Sequence, residues 1–174
     1  MAAVMEGKSP RIAVDTNVLF DLANEDDDAL DALEIIRKKI PHAVLVVTST
    51  VIEEMSYAAE AGDTPDKRRL AKRALSRLLT WGIQPGDFQP VGHGIIEKVA
   101  ERIRAAGLIP DEEVNDSFII AEAALAQCRI LISSDSHIFA IDREGLAAVL
   151  ARCDVPPPAI VSPRKIVRDF FPKR

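Results

Sequence analysis

Apolar residues fall along this chain in two alternating rhythms. Short runs rich in β-branched and aliphatic residues, at 11–14, 43–48, 130–132 and 159–161, read as strands. The 43–48 run (Ala-Val-Leu-Val-Val-Thr) is almost uninterrupted, as expected of a parallel strand covered on both faces. Between these runs apolar positions recur at the helical period. Ala29, Leu30, Leu33, Ile36 and Ile40 make one face of a helix over 28–40, with acids at its start, Lys38 and Lys39 at its end, and Pro41 as its stop. Further helices are predicted over 51–60, over 66–81 behind Pro65, and over 95–106 closed by Gly107. The stretch 117–125 is apolar nearly all round, the mark of a central, buried helix, and Asp116 stands in its first turn. A helical stretch over 143–152, a Pro156-Pro157-Pro158 turn and a last helix from Ser162-Pro163 through Phe170 complete the order. Residues 82–94 read as a loop with a short edge strand at 88–91.

Strands alternating with helices predict an α/β fold around a parallel sheet. With 174 residues, no internal repeat and no composition break, the reading is one domain over 11–174 behind a loose arm of residues 1–10. Composition changes this picture little. The 22 basic against 27 acidic residues give a net charge of −5, which excludes a surface given over wholly to nucleic acid. It leaves room for a local basic patch and for an acidic metal site. Cys128 and Cys153 lack metal-ligand spacing, and a reduced, cytoplasmic setting is the simpler expectation. No apolar run approaches a membrane span, so no membrane partner is expected.

The candidate chemistry lies at element ends. Asp15 directly follows the strand 11–14, and Asp135 follows the strand 130–132 after Ser133-Ser134. Carboxyl ends of strands in an open α/β sheet face the crevice where such sheets bind ligands. Glu53 and Glu54 lie in the first turns of the helix after the second strand, and Asp116 opens the buried helix. Each acid alone has a structural explanation, since Asp caps helices and any acid suits a helix N-terminus. Four at comparable places form a pattern that chance seldom produces. One further feature is the helix over 66–81, where Lys67, Arg68, Arg69, Lys72, Arg73 and Arg77 crowd the face opposite the apolar stripe. That face is either solvated or a phosphate-backbone surface. His42 and His93 have no partner at ligand spacing and read as surface residues.

Four stretches, in order, carry a resemblance: Val14-Asp15-Thr16-Asn17-Val18-Leu19, Val47-Thr48-Ser49-Thr50-Val51-Ile52-Glu53-Glu54-Met55, Asn115-Asp116-Ser117-Phe118-Ile119-Ile120-Ala121 and Leu131-Ile132-Ser133-Ser134-Asp135. In these the chain resembles the PIN-domain nucleases and is similar to the VapC-type toxin ribonucleases of toxin–antitoxin pairs. The resemblance implies a three-layer α/β/α sandwich around a parallel sheet and a ribonuclease site that uses Mg²⁺ or Mn²⁺. It implies an acidic set of Asp15, Glu54, Asp116 and Asp135. Glu53 could replace Glu54 in the alignment, but an acid followed by a large apolar residue fits Glu54-Met55 better. Asp15, Asp116 and Asp135 are then the expected metal ligands, with Glu54 as ligand or water-orienting base and Asn17 and Ser133 as supporting hydrogen-bonders. Arg68, Arg69, Lys72, Arg73 and Arg77 are the candidate RNA-binding face. An RNA substrate, an antitoxin partner and a homodimer are the expected associations.

This residue set suits the reaction. A phosphodiester repels hydroxide, and hard divalent ions held by carboxylates and waters offset its charge. Two other classes compete. One is a PIN-fold RNA- or protein-binding module with a vestigial nuclease site, against which the four intact acids speak. The other is a receiver-type domain, which would want a phosphoacceptor Asp where the second strand ends in Thr48 and Ser49.

Overall fold

The computed structural model describes residues 9–86 and 93–170. Residues 1–8 of the expected arm 1–10, and the edge strand expected at 88–91, lie outside the described residues. Among the described residues the chain forms β1 (Arg11–Val14), α1 (Thr16–Ala23), α2 (Asp27–Lys39), β2 (Val44–Val47), α3 (Ser49–Ala61), α4 (Pro65–Arg77) and β3 (Ile83–Pro85). It continues through α5 (His93–Ala105), α6 (Val114–Leu125), β4 (Cys128–Ile132), α7 (Ser136–Phe139), α8 (Arg143–Ala151), β5 (Ala159–Val161) and α9 (Pro163–Phe170).

All five strands are parallel, in the order β3-β2-β1-β4-β5. From β1 the chain steps outward to β2 and β3, then recrosses to build β4 and β5 on the other side. Right-handed crossovers send the two legs to opposite faces. In keeping with this, α4 packs against α1 and α3, and α2 against α9, while α5 packs against α6 and α8. The fold is therefore the expected α/β/α sandwich. The central strand has both faces covered: Ile12, Ala13 and Val14 are fully buried.

Local chemistry explains most boundaries. Asp26 caps α2 by accepting a hydrogen bond from the Ala29 amide at 3.0 Å. Thr64 caps α4 from the Lys67 amide at 3.1 Å, with Pro65 at the first helical position. Helix α4 stops at Arg77, earlier than the periodicity suggests; a turn follows in which Gly82 takes a positive φ of 62°. That turn is held by Arg37, whose Nη2 donates to the Trp81 carbonyl at 2.6 Å. It delivers β3, which falls where a loop was expected. Only Ile83 of this strand is buried, and Pro85, which has no N–H to give, suits an edge.

One buried acid has a structural role. Glu122 of α6 is 4% exposed and accepts from the Thr50 amide at 3.2 Å and the Thr50 hydroxyl at 3.1 Å. It ties α6 to the start of α3, and burial raises its pKa against these hydrogen bonds. Among the described residues no helix is long and apolar enough to cross a membrane.

Candidate functional site

The reversal in strand order falls between β1 and β4, and a crevice opens beyond the carboxyl ends of strands at such a point. A cleft of about 390 Å³ lies there, and Asp15, Glu54, Asp116 and Asp135 all line it. A larger hollow of about 800 Å³ opens at the amino ends of the strands, between Arg11, Val44, Cys128 and Pro157. Among the described residues no carboxylate lines that hollow, and those residues offer no donor set for a hard cation.

Each acid is aimed by its element. Asp15, 2% exposed, caps α1 through a hydrogen bond from the Thr16 amide at 2.7 Å, and the Ser133 hydroxyl donates to its other oxygen at 2.6 Å. Asp135 caps the one-turn helix α7, accepting from the amides of His137 at 2.7 Å and Ile138 at 3.3 Å. Its second oxygen accepts from Asn17 Nδ2 at 3.0 Å. Thus β1 and β4 are stitched across the reversal by Ser133–Asp15 and Asn17–Asp135. Glu54 faces the cleft from α3 with both oxygens engaged, one by the Thr16 hydroxyl and the other by Asn115 Nδ2 at 2.8 Å. Glu53 is exposed and makes no part of the cleft lining.

Asp116 differs from the rest. Among the described residues its Oδ2 is the one buried side-chain polar atom that lacks a hydrogen-bond partner. Desolvation, then Asp135, Asp15, Glu113 and Glu54, push its pKa from 3.8 to about 7. Burial pushes Asp15 from 3.8 to about 6; the hydrogen bonds from Ser133 and Thr16 pull against it, and Glu54 and Asp135 add repulsion. The cleft is a place where negative charge is concentrated and under-compensated.

A family profile described as PIN domain matches residues 12–144. The chain belongs to the PIN-domain family. Two solved structures share the PIN fold seen here. One is VapBC2 from Rickettsia felis bound to a DNA fragment from their promoter, with a TM-score of 0.58 and 16% identity over 87% of this chain and 98% of that one. The other is FitAB bound to an IR36 DNA fragment, with a TM-score of 0.54 and 17% identity over 88% of this chain and 95% of that one. A search of curated protein sequences finds no match.

This PIN domain also brings residues to the cleft that carry no strong signal in the sequence. Thr16 and Asn115 hold Glu54. Lys67, at the start of α4, lines the cleft and pairs with Asp63 there at 3.7 Å, and Phe20 and Tyr57 line it too. Glu113 lies one turn before Asp116, and His137 sits two residues beyond Asp135; together with Asp116 they present ligand atoms within 4.8 Å of one another. The basic face of α4 is dispersed. Arg68 is half-buried and donates to the Gly62 carbonyl, Arg69 pairs with Asp66, and Arg73 pairs with Glu25. Lys72 and Arg77 are exposed and make no ion pair among the described residues.

Proposed function

We propose that this protein is a divalent-metal-dependent ribonuclease and the toxin of a toxin–antitoxin pair. The observation that carries the reading is the convergence of Asp15, Glu54, Asp116 and Asp135 on one cleft, with Asp116 Oδ2 buried and unpartnered. A cation satisfies that orphaned oxygen and relieves the repulsion that raises the Asp15 and Asp116 pKa values, so the donor set fits a hard divalent ion. Membership of the PIN family supports nuclease chemistry, and likeness in fold to VapBC2 and FitAB supports the toxin role and an antitoxin partner. A homodimer belongs to the same reading.

Asp15, Asp116 and Asp135 would hold Mg²⁺ or Mn²⁺, which supplies a water of lowered pKa and offsets charge on the phosphodiester. The protein's own residues do the positioning. Ser133 and Asn17 fix the carboxylates of Asp15 and Asp135 from opposite strands. Glu54, held at both oxygens, orients the attacking water and takes its proton. Lys67, paired with Asp63 in the cleft lining, offers a positive charge to a substrate phosphate.

Incubation of the purified protein with single-stranded and structured RNA tests this. Cleavage is expected with Mg²⁺ or Mn²⁺ and is expected to stop with EDTA. Cleavage that persists in excess chelator contradicts the mechanism.

A further inference from the structure

Beside the cleft stands a second donor group, in which Glu113 and Asp116 of the cleft lining meet an exposed histidine of α7. Glu113 occupies the N-cap position of α6, yet its side chain makes no capping hydrogen bond. It lies toward α7 instead, where its Oε1 is 3.6 Å from His137 Nδ1. Asp116 is one helical turn further on, so both acids share a face of α6. His137 Nδ1 is 3.9 Å from Asp135 Oδ1, an oxygen already accepting two amide hydrogen bonds. Neither carboxylate is close enough to the imidazole for a hydrogen bond. The ligand atoms of Glu113, Asp116 and His137 nevertheless lie within 4.8 Å of one another. Ligands about 2.0–2.2 Å from one ion stand a few ångströms apart, so small side-chain rotations suffice to close the group. Asp116, whose Oδ2 is buried without a partner, is the donor this group shares with the carboxylate site of Asp15 and Asp135.

We propose that Glu113, Asp116 and His137 form a transition-ion subsite at the edge of the acidic cleft, one that takes Zn²⁺ in preference to Mg²⁺. The imidazole decides the preference. Carboxylate and water oxygens suit Mg²⁺, whereas a nitrogen donor raises affinity for the later first-row ions. The group reaches the ion from two elements, the first turn of α6 and the one-turn α7 beyond β4. Occupancy therefore joins the two sides of the cleft. The inference rests on reading the cleft as a cation site and is independent of which substrate is cut.

Calorimetric titration of the full chain with Zn²⁺ and with Mg²⁺ tests it, alongside His137→Gln and Glu113→Gln. Wild type should bind Zn²⁺ more tightly than Mg²⁺. His137→Gln should lose roughly tenfold or more in Zn²⁺ affinity and keep its Mg²⁺ affinity. Glu113→Gln, on the other element, should weaken Zn²⁺ as well. In NMR spectra the imidazole signals that vanish in His137→Gln should shift with the first equivalent of Zn²⁺, while those of exposed His42 stay in place. Unchanged Zn²⁺ affinity in folded His137→Gln, or imidazole signals that do not respond, overturns the proposal. If Zn²⁺ binds as described but no RNA is cleaved with any ion, the ribonuclease reading fails and the subsite stands.

Discussion

Replacing Asp116 by Asn keeps the side chain's size and removes its charge, and the metal-free protein should become more stable for it. A rise in carboxyl pKa from 3.8 to about 7 corresponds to roughly 4 kcal/mol acting against the ionised native state. The side chain is only partly buried, and solvent screening reduces the usable figure to about 1–2 kcal/mol. The sign follows from proton binding. Native Asp116 keeps its proton where the unfolded chain has released it, so this group lowers stability as pH climbs from about 4 through about 7. In EDTA at pH 7.5, Asp116→Asn should therefore gain about 1–2 kcal/mol, or roughly 3–6 °C in Tm for a chain of this size. Below pH 4 the gain should vanish. Urea titrations at several pH values, with both proteins chelator-treated, read this directly. Saturating Mn²⁺ should then reverse the order at pH 7.5, since an ion at 100-fold above its Kd stabilises wild type by about 2.7 kcal/mol. A variant less stable than wild type at pH 7.5 without metal would refute the claim that the cleft is a site of uncompensated charge.

Other outcomes follow from the same geometry. At metal concentrations well below saturation, activity should rise with pH through about 6 to 7, because Asp15 and Asp116 must lose their protons before an ion can bind, and a pH–rate profile shows this limb. Ser133→Ala removes a hydrogen bond that favours ionised Asp15, so the limb should move to higher pH, whereas Ser133→Thr should leave it in place. Glu122→Ala leaves the Thr50 amide unpaired in the core and should cost about 2–3 kcal/mol in denaturant titrations while the metal affinity of the folded protein holds. Changing Lys67, Lys72 and Arg77 together to Gln should weaken RNA binding and lower its salt slope by roughly 0.7 for each phosphate no longer neutralised. An unchanged slope across a salt series would leave α4 as a solvated or partner-binding surface.

Much of this is legible from residue order because strand ends and buried carboxylates announce themselves. Asp15 follows three fully buried residues of β1, and Asp135 caps the turn after β4. Glu54 is separable from Glu53 by the large apolar Met55 beside it, and Met55 is fully buried while Glu53 is exposed. The features that escape are those with little local signal. Strand β3 has three residues, one of them proline, and owes its pairing to Leu45–Val47 on β2. Helix α7 is a single turn, too short for periodicity, and exists because Asp135 caps it. Glu113 is submerged in the acidic run 111–113, and His137 meets it only when α6 and α7 are brought side by side. The basic face of α4 looks uniform in one dimension because charge is visible in a sequence and its partners, Gly62 and Glu25, are not.

The central claim is that the carboxylates gathered beyond β1 and β4 hold the ion that drives RNA cleavage. Single-turnover cleavage of one defined RNA with Mn²⁺, by wild type and by Asp15→Asn, tests it most directly, with circular dichroism to confirm that both are folded. Asp15 is buried against Ser133 and Thr16, and losing a charge from the ligand set should lower the rate by roughly 100-fold or more. Wild-type activity should vanish in EDTA and return with added Mn²⁺. Equal rates for the two proteins, or a wild-type rate indifferent to chelator, would contradict the account.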